Sequence, residues 1–134
     1  MTKILVVDDE EDLKILIKQR FRQKIRQKEY DFIFAENGKH ALQQLIEHQD
    51  VDLVLSDINM PEMDGLTLLS KLKEQNSILK SVIVSAYGDM ENIRTAMNRG
   101  AFDFITKPID FKDLEITIEK TIEHVEAVRQ TLQA

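Results

Sequence analysis

The sequence predicts one α/β domain built on a doubly wound parallel sheet, and three observations predict it. Apolar runs of four to six residues alternate with longer stretches of helical period, the pattern of successive βα units. The runs are dense in Val, Ile, Leu and Phe, as strands covered on both faces must be. All glycines (Gly38, Gly65, Gly88, Gly100) and both prolines (Pro61, Pro108) fall between these stretches, where the chain must turn.

Lys3–Val7 is the first strand candidate. Behind it Leu13, Leu16, Ile17, Phe21 and Ile25 recur at three- and four-residue spacing and predict one amphipathic helix. Asp31–Ala35 is the second strand, closed by Asn37-Gly38, and Ala41, Leu42, Leu45 and Ile46 mark the second helix. Val51–Ser56 is the third strand, followed by a helix carrying Leu66, Leu68, Leu69 and Leu72. Ser81–Ser85 is the fourth, with Met90, Ile93, Ala96 and Met97 on its helix and Gly100 at the cap. Phe102–Thr106 is the fifth strand, and a fifth helix starts near Asp110. Right-handed crossovers place helices on both faces. The flavodoxin-like strand order 2-1-3-4-5 reverses between strands 1 and 3, where ligands bind beyond the carboxyl ends.

A length of 134 residues fits one core. Hydrophobic residues at 43% and charged residues at 31% are those of an ordinary globular protein. A net charge of -6 weighs against nucleic acid as a direct ligand. The lack of cysteine removes disulfides, thiolate metal sites and thiol catalysis together. No apolar stretch approaches the roughly 20 residues of a membrane span, and no signal-peptide pattern follows Met1-Thr2-Lys3. The expected location is the cytoplasm, with no membrane partner.

Four of the strand candidates end in a residue useful for phosphoryl transfer: Asp8-Asp9, Asp57, Ser85 and Lys107. Carboxylates about 4 Å apart repel by about 4 kcal/mol at an effective dielectric of 20. Crowding Asp8, Asp9 and Asp57 therefore calls for a cation, and oxygen donors with a phosphate suit Mg²⁺. Asp57 is the candidate nucleophile, forming an acyl phosphate. Lys107 would neutralise the equatorial oxygens, and Ser85 would donate a hydrogen bond to one of them. Singly these residues are ordinary: acidic pairs cap helices, serines make turns, and lysines line surfaces. Their order and their places at strand ends set them apart.

The same residues and their neighbours closely resemble the receiver domain of bacterial two-component response regulators. The matching segments are Ile4-Leu5-Val6-Val7-Asp8-Asp9-Glu10, Asp57-Ile58-Asn59-Met60-Pro61-Glu62-Met63-Asp64-Gly65, Ser85-Ala86-Tyr87-Gly88-Asp89 and Gly100-Ala101-Phe102-Asp103-Phe104-Ile105-Thr106-Lys107-Pro108. The resemblance covers about Lys3 to Ile122. It implies phosphorylation of Asp57 by the phosphohistidine of a sensor histidine kinase or phosphotransfer protein. It implies Mg²⁺ held by Asp9, Asp57 and the Asn59 carbonyl, with Asp8 acting directly or through water. It also implies a cis Lys107–Pro108 bond and a switch in which Ser85 moves inward and the Phe104 ring follows. That switch would bias the surface of the fourth helix, fifth strand and fifth helix, through which partners, an output domain or a second copy would read the state. Phe104 lacks the hydroxyl of the tyrosine common at this place, so no hydrogen-bonded reporter role carries over to it. Tyr87, two residues beyond Ser85, is expected near the phosphoryl group, where its ring would hinder water and slow dephosphorylation; an exposed loop aromatic without that role fits the position equally well.

Residues 1–123 are accordingly expected to form the receiver. Residues 124–134 extend the last helix, where Ile118, Thr121, Val125, Val128 and Leu132 approximate a heptad seam. A short dimerising coil, a linker to an absent output domain and a surface helix all fit that pattern. The bases Lys18, Arg20, Arg22, Lys24, Arg26 and Lys28 are spread around an exposed helix and form no nucleic-acid stripe. His40, His48 and His124 show no metal-ligand spacing. Two rivals belong to other classes. A calcium loop starting at Asp57 fails because its sixth position is Glu62 and its twelfth Leu68, where Gly and Glu are required. An aspartyl-nucleophile phosphohydrolase needs substrate-recognition elements for which the chain has few residues to spare. A divalent-cation module without phosphotransfer is the remaining alternative to a signalling phospho-acceptor.

Overall fold

Thr2–Val7 form β1, Tyr30–Ala35 β2, Leu53–Asp57 β3, Lys80–Ala86 β4 and Asp103–Lys107 β5. They pair in parallel as one five-stranded sheet in the order β2-β1-β3-β4-β5, the class and order the sequence predicts. These relations come from a computed structural model that describes residues 1–58, 65–75, 78–86 and 88–133. Asn59 and Tyr87, both given roles above, lie outside the described residues.

Central strands explain their own composition. Ile4, Leu5, Val6 and Val7 of β1 are almost wholly buried because successive side chains enter two different cores. Ile4 and Val6 pack with Leu13 and Ile17 of α1 (Glu11–Arg20) and with Leu114 and Ile118 of α6 (Phe111–Gln133). Leu5 and Val7 face the opposite way, towards Ala41 of α3 (Gly38–Glu47) and Leu68 and Leu72 of α4 (Gly65–Gln75). Ala96 of α5 (Met90–Asn98) packs with Ile83 and Ile58 on that same side. Each fully buried Leu or Ile contributes about 1.5–3 kcal/mol relative to exposure. The Ala101 N–H donates to the Ala96 carbonyl at 3.1 Å behind Gly100, whose φ of 104° closes α5 as the sequence anticipates.

The first predicted helix is two. α1 stops at Arg20, and α2 (Arg22–Arg26) follows Phe21, whose backbone sits at φ -101°, ψ 16°. Phe21 is 2% exposed, with its ring centroid 5.3 Å from Phe32 and 6.0 Å from Tyr30. Tertiary packing on the edge strand therefore accompanies a bend that no Gly or Pro announces. Leu16, counted among the apolar positions, is 46% exposed. The extra element makes α5 and α6 the fourth and fifth predicted helices.

At 23 residues α6 is about 34 Å long, well beyond the five residues of β5. Ile118, Thr121 and Val125 of the heptad-like series are buried within the domain, whereas Leu132 is 66% exposed. Lys120 pairs with Asp103 at 2.7 Å, the His124 ring lies 4.9 Å from that of Phe102, and Arg129 reaches Asp52 at 2.5 Å. No helix among the described residues is long and apolar enough to cross a membrane.

Candidate functional site

Strand register gathers the chemistry at one edge. Asp57 is the last residue of β3 and pairs with Val84, so Ser85 stands one step further out on β4. Ala86 pairs with Lys107, the last residue of β5. Val7 ends β1, and Asp8 continues its line, its N–H donating to the Ala35 carbonyl at 3.0 Å.

The Lys107 ammonium donates to Asp57 Oδ2 at 2.7 Å and lies 3.7 Å from Asp8 Oδ2. Side chains that are 7% and 4% exposed in Asp57 and Asp8 are thus drawn to one cation that is itself 30% exposed. Burial disfavours the charged form of Lys107, but its hydrogen bond to Asp57 and the charges of Asp57 and Asp8 outweigh that, and its pKa rises. Burial pushes the Asp8 carboxyl above its ordinary value, against the opposing pull of the Glu10 amide and Lys107. Asp8 Oδ1 accepts that Glu10 N–H at 2.7 Å, which also fixes the entry to α1.

Oxygens of Asp8, Asp9 and Glu10 lie within 4.8 Å of one another. The adjacent Lys107 leaves this acidic pocket with more negative than positive groups. Hard carboxylate oxygens at one rim, a buried acid with raised pKa and a surplus of negative charge fit a divalent ion such as Mg²⁺. Glu10 belongs to this cluster although the sequence singled out only its two neighbours; its place in the run Asp8-Asp9-Glu10 was the available signal.

Gly65 opens α4 directly against the nucleophile candidate. Its N–H donates to the Ile58 carbonyl at 2.8 Å, and a methyl group there would run into the Asp57 carbonyl oxygen. The sequence marks Gly65 as punctuation; the close approach is visible only in three dimensions.

Ser85 is completely buried, but its hydroxyl is turned to Asp89 Oδ2 at 3.3 Å. The same oxygen accepts from Asn92 Nδ2 at 2.9 Å. Phe104 is 37% exposed and lines a concavity of about 300 Å³ with Pro108, Asp113 and Ile116 on the β5–α6 side. The Lys107–Pro108 bond is cis. Of the residues the sequence selects, Asp8, Asp9, Asp57, Ser85 and Lys107 come together at this edge, and Phe104 stands apart on the surface beside it.

A family model of the response regulator receiver domain matches residues 4–119. The transcriptional regulatory protein ZraR of Escherichia coli K12 is 36% identical over 125 residues, which are 93% of this chain and 27% of that protein. The DNA-binding transcriptional regulator NtrC of the same organism is 37% identical over 95 residues, 71% of this chain and 20% of its own length. The chain thus spans about a quarter of the length of the curated relatives it matches. Among solved structures, the receiver domain of NtrX from Brucella abortus superposes with a TM-score of 0.78 at 33% identity, covering 90% of this chain and 98% of that one. A response regulator receiver domain from Clostridium thermocellum gives a TM-score of 0.78 at 28% identity and covers both chains completely. Sheet order, the gathered acids with their lysine, and these matches agree, and the chain belongs to the response regulator receiver domain family.

Proposed function

We propose that this receiver accepts a phosphoryl group on Asp57 from the phosphohistidine of a sensor kinase or phosphotransfer protein. The observation that carries it is the buried Asp57 carboxylate bound to Lys107 beside Asp8 in an acidic pocket. In the transfer the N–P bond of the donor breaks with its electron pair going to the imidazole, while an Asp57 oxygen forms the new P–O bond. Lys107 passes from Asp57 to the phosphoryl oxygens and neutralises charge as it develops. Asp8, Asp9, Asp57 and the Asn59 carbonyl would hold Mg²⁺, which when bound supplies further charge neutralisation to the phosphoryl oxygens. Ser85 donates its hydroxyl to one of those oxygens. Water later attacks phosphorus, restoring the Asp57 carboxylate and releasing inorganic phosphate.

The output is a change of surface. Ser85 leaves its outward partner, Phe104 moves towards the space it vacates, and the α5–β5–α6 face changes for a partner, a second copy or an output domain. Support comes from Ser85 and Phe104 lying at the two ends of that path, one buried and one exposed. ZraR and NtrC, by their names, regulate transcription, and this chain would carry the signal-receiving part of such an activity.

Incubation with acetyl phosphate and Mg²⁺, followed by intact-mass spectrometry, tests the reading. One phosphoryl group is expected on the wild type and none on Asp57→Asn. Metal removal by a chelator should suppress the addition. Turnover of many added phosphoesters without a stable phosphoprotein would instead point to a phosphohydrolase, and Mg²⁺ binding without phosphorylation to a cation module.

A further inference from the structure

Asp89 holds the residue-before-helix position of α5, where an aspartate ordinarily accepts backbone N–H groups of the first turn. It makes no such cap. Its Oδ2 is instead engaged twice by side chains, from Ser85 Oγ at 3.3 Å and from Asn92 Nδ2 at 2.9 Å. Asn92 stands in the first turn of α5, so this one carboxylate joins the end of β4 to the helix that follows it. Its carbonyl accepts from Ile93 N–H of the helix at 3.2 Å.

Resting on the proposed phosphorylation of Asp57, we infer that Asp89 is a positioning residue that acts through Ser85, as a latch on the unphosphorylated state. Ser85 has one hydroxyl proton, and two anions compete for it: the Asp89 carboxylate, and the phosphoryl group once it is present. While Asp89 holds that proton, the hydroxyl has none to give to a group on Asp57. When the dianionic phosphoryl group takes it, Asp89 loses one of its two donors. Its carboxylate is then free to turn onto the N–H groups at the start of α5, as its position favours. Capture of one proton at the site is thereby converted into recapping of a helix on the partner-facing surface. The bias is modest by design, since a hydrogen bond to a carboxylate shifts such an equilibrium by roughly tenfold.

The test compares wild type, Asp89→Ala and the more conservative Asp89→Asn, each alone and in a Ser85→Ala background. Asp57 phosphorylation by acetyl phosphate is followed by mass spectrometry, and the amide resonances of Met90–Asn98 by NMR. Removing the latch should speed phosphorylation by about three- to tenfold, with Asp89→Asn between it and the wild type. It should also move the α5 resonances of the unphosphorylated protein towards the positions they take after phosphorylation. Without the Ser85 hydroxyl the acceleration should vanish, which a merely structural role for Asp89 would not produce. Unchanged rates and resonances in Asp89→Asn, or the same acceleration with and without Ser85, overturn the latch. If the wild type takes no phosphoryl group on Asp57, the underlying reading falls and the latch falls with it; a wild type that phosphorylates normally confines any failure to the latch.

Discussion

Two aspartates five positions apart, Asp52 just ahead of β3 and Asp57 at its last position, have surroundings that differ in balance more than in burial. Asp52 is 7% exposed and Asp57 6%. Asp52 Oδ2 accepts the Lys3 N–H at 3.0 Å, and Oδ1 meets the Arg129 guanidinium at 2.5 Å. That second contact has the separation of an ion pair without the angles of a hydrogen bond, so charge attraction is what Oδ1 gains. One acid there faces one guanidinium. At the other end Asp57 shares Lys107 with Asp8, next to Asp9 and Glu10. A matched pair locks two segments together; an unmatched cluster stores repulsion that a cation and a phosphoryl group can relieve.

Substituting the two aspartates is the most direct way to break that contrast. Asp57→Asn should lower acetyl-phosphate labelling at least 100-fold, about 2.7 kcal/mol or more, while thermal unfolding stays at or above the wild-type midpoint because repulsion is removed. Asp52→Asn should leave labelling within about twofold, since it touches none of the site. Equal losses in labelling for both variants would mean that the two ends are not separate in function.

Gly65→Ala should come next. The added methyl collides with backbone, and a carbonyl cannot swing aside as a flexible side chain can. A loss of about 2–4 kcal/mol in urea unfolding is expected, with slower labelling because the end of β3 must shift. A variant as stable and as reactive as the wild type would show that α4 is free to move away from Asp57.

Legibility in the sequence follows the same division between local and remote causes. Class and the strand-end positions of Asp57 and Lys107 are readable because apolar runs and polar stops are local signals, and the strand order comes with the class. The apolar run predicts the third strand over Val51–Ser56, yet β3 is Leu53–Asp57. Val51 reads as strand because it is apolar, but it is buried in the core beneath α3 and α4, ahead of the first ladder pair. The break at Phe21 has no signal in its own stretch of sequence: the rings it packs against, Tyr30 and Phe32, lie on β2. The seam of Ile118, Thr121 and Val125 suits a coil as well as a core, since both ask for the same spacing; all three are buried, and Ile118 packs in the core with Ile4 and Val6 of β1. Asp89 sat inside a recognised segment, but its tie to Ser85 depends on a loop conformation that no pattern encodes.

The unmatched end should also respond to pH and metal. Because burial sets the Asp8 carboxyl above its unfolded value near 3.8, the folded state holds that proton more firmly. Stability is therefore lost as pH rises from the unfolded value through the folded one, and the deficit persists at neutral pH. Mg²⁺ should offset it, by about 2.7 kcal/mol at a hundredfold excess over its Kd. The Mg²⁺-induced rise in Tm should be larger at pH 7 than at pH 4, where protons compete for the same oxygens. Asp8→Asn should shrink the neutral-pH rise, and a rise independent of pH would put the ion elsewhere.

The matched end yields the smallest effect and the sharpest logic. Arg129 is 41% exposed in its side chain, so its attraction to Asp52 is partly screened. Arg129→Ala nevertheless strands a carboxylate whose side chain is 9% exposed, and the stranded acid, more than the lost attraction, sets the cost. A loss of about 1–2 kcal/mol in urea unfolding is expected. In an Asp52→Asn background the same substitution should cost under about 0.5 kcal/mol, because a neutral amide needs no guanidinium. If the cost is instead equal in both backgrounds, Arg129 holds the end of α6 through its aliphatic stem, and Asp52 is no counterpart to Asp57.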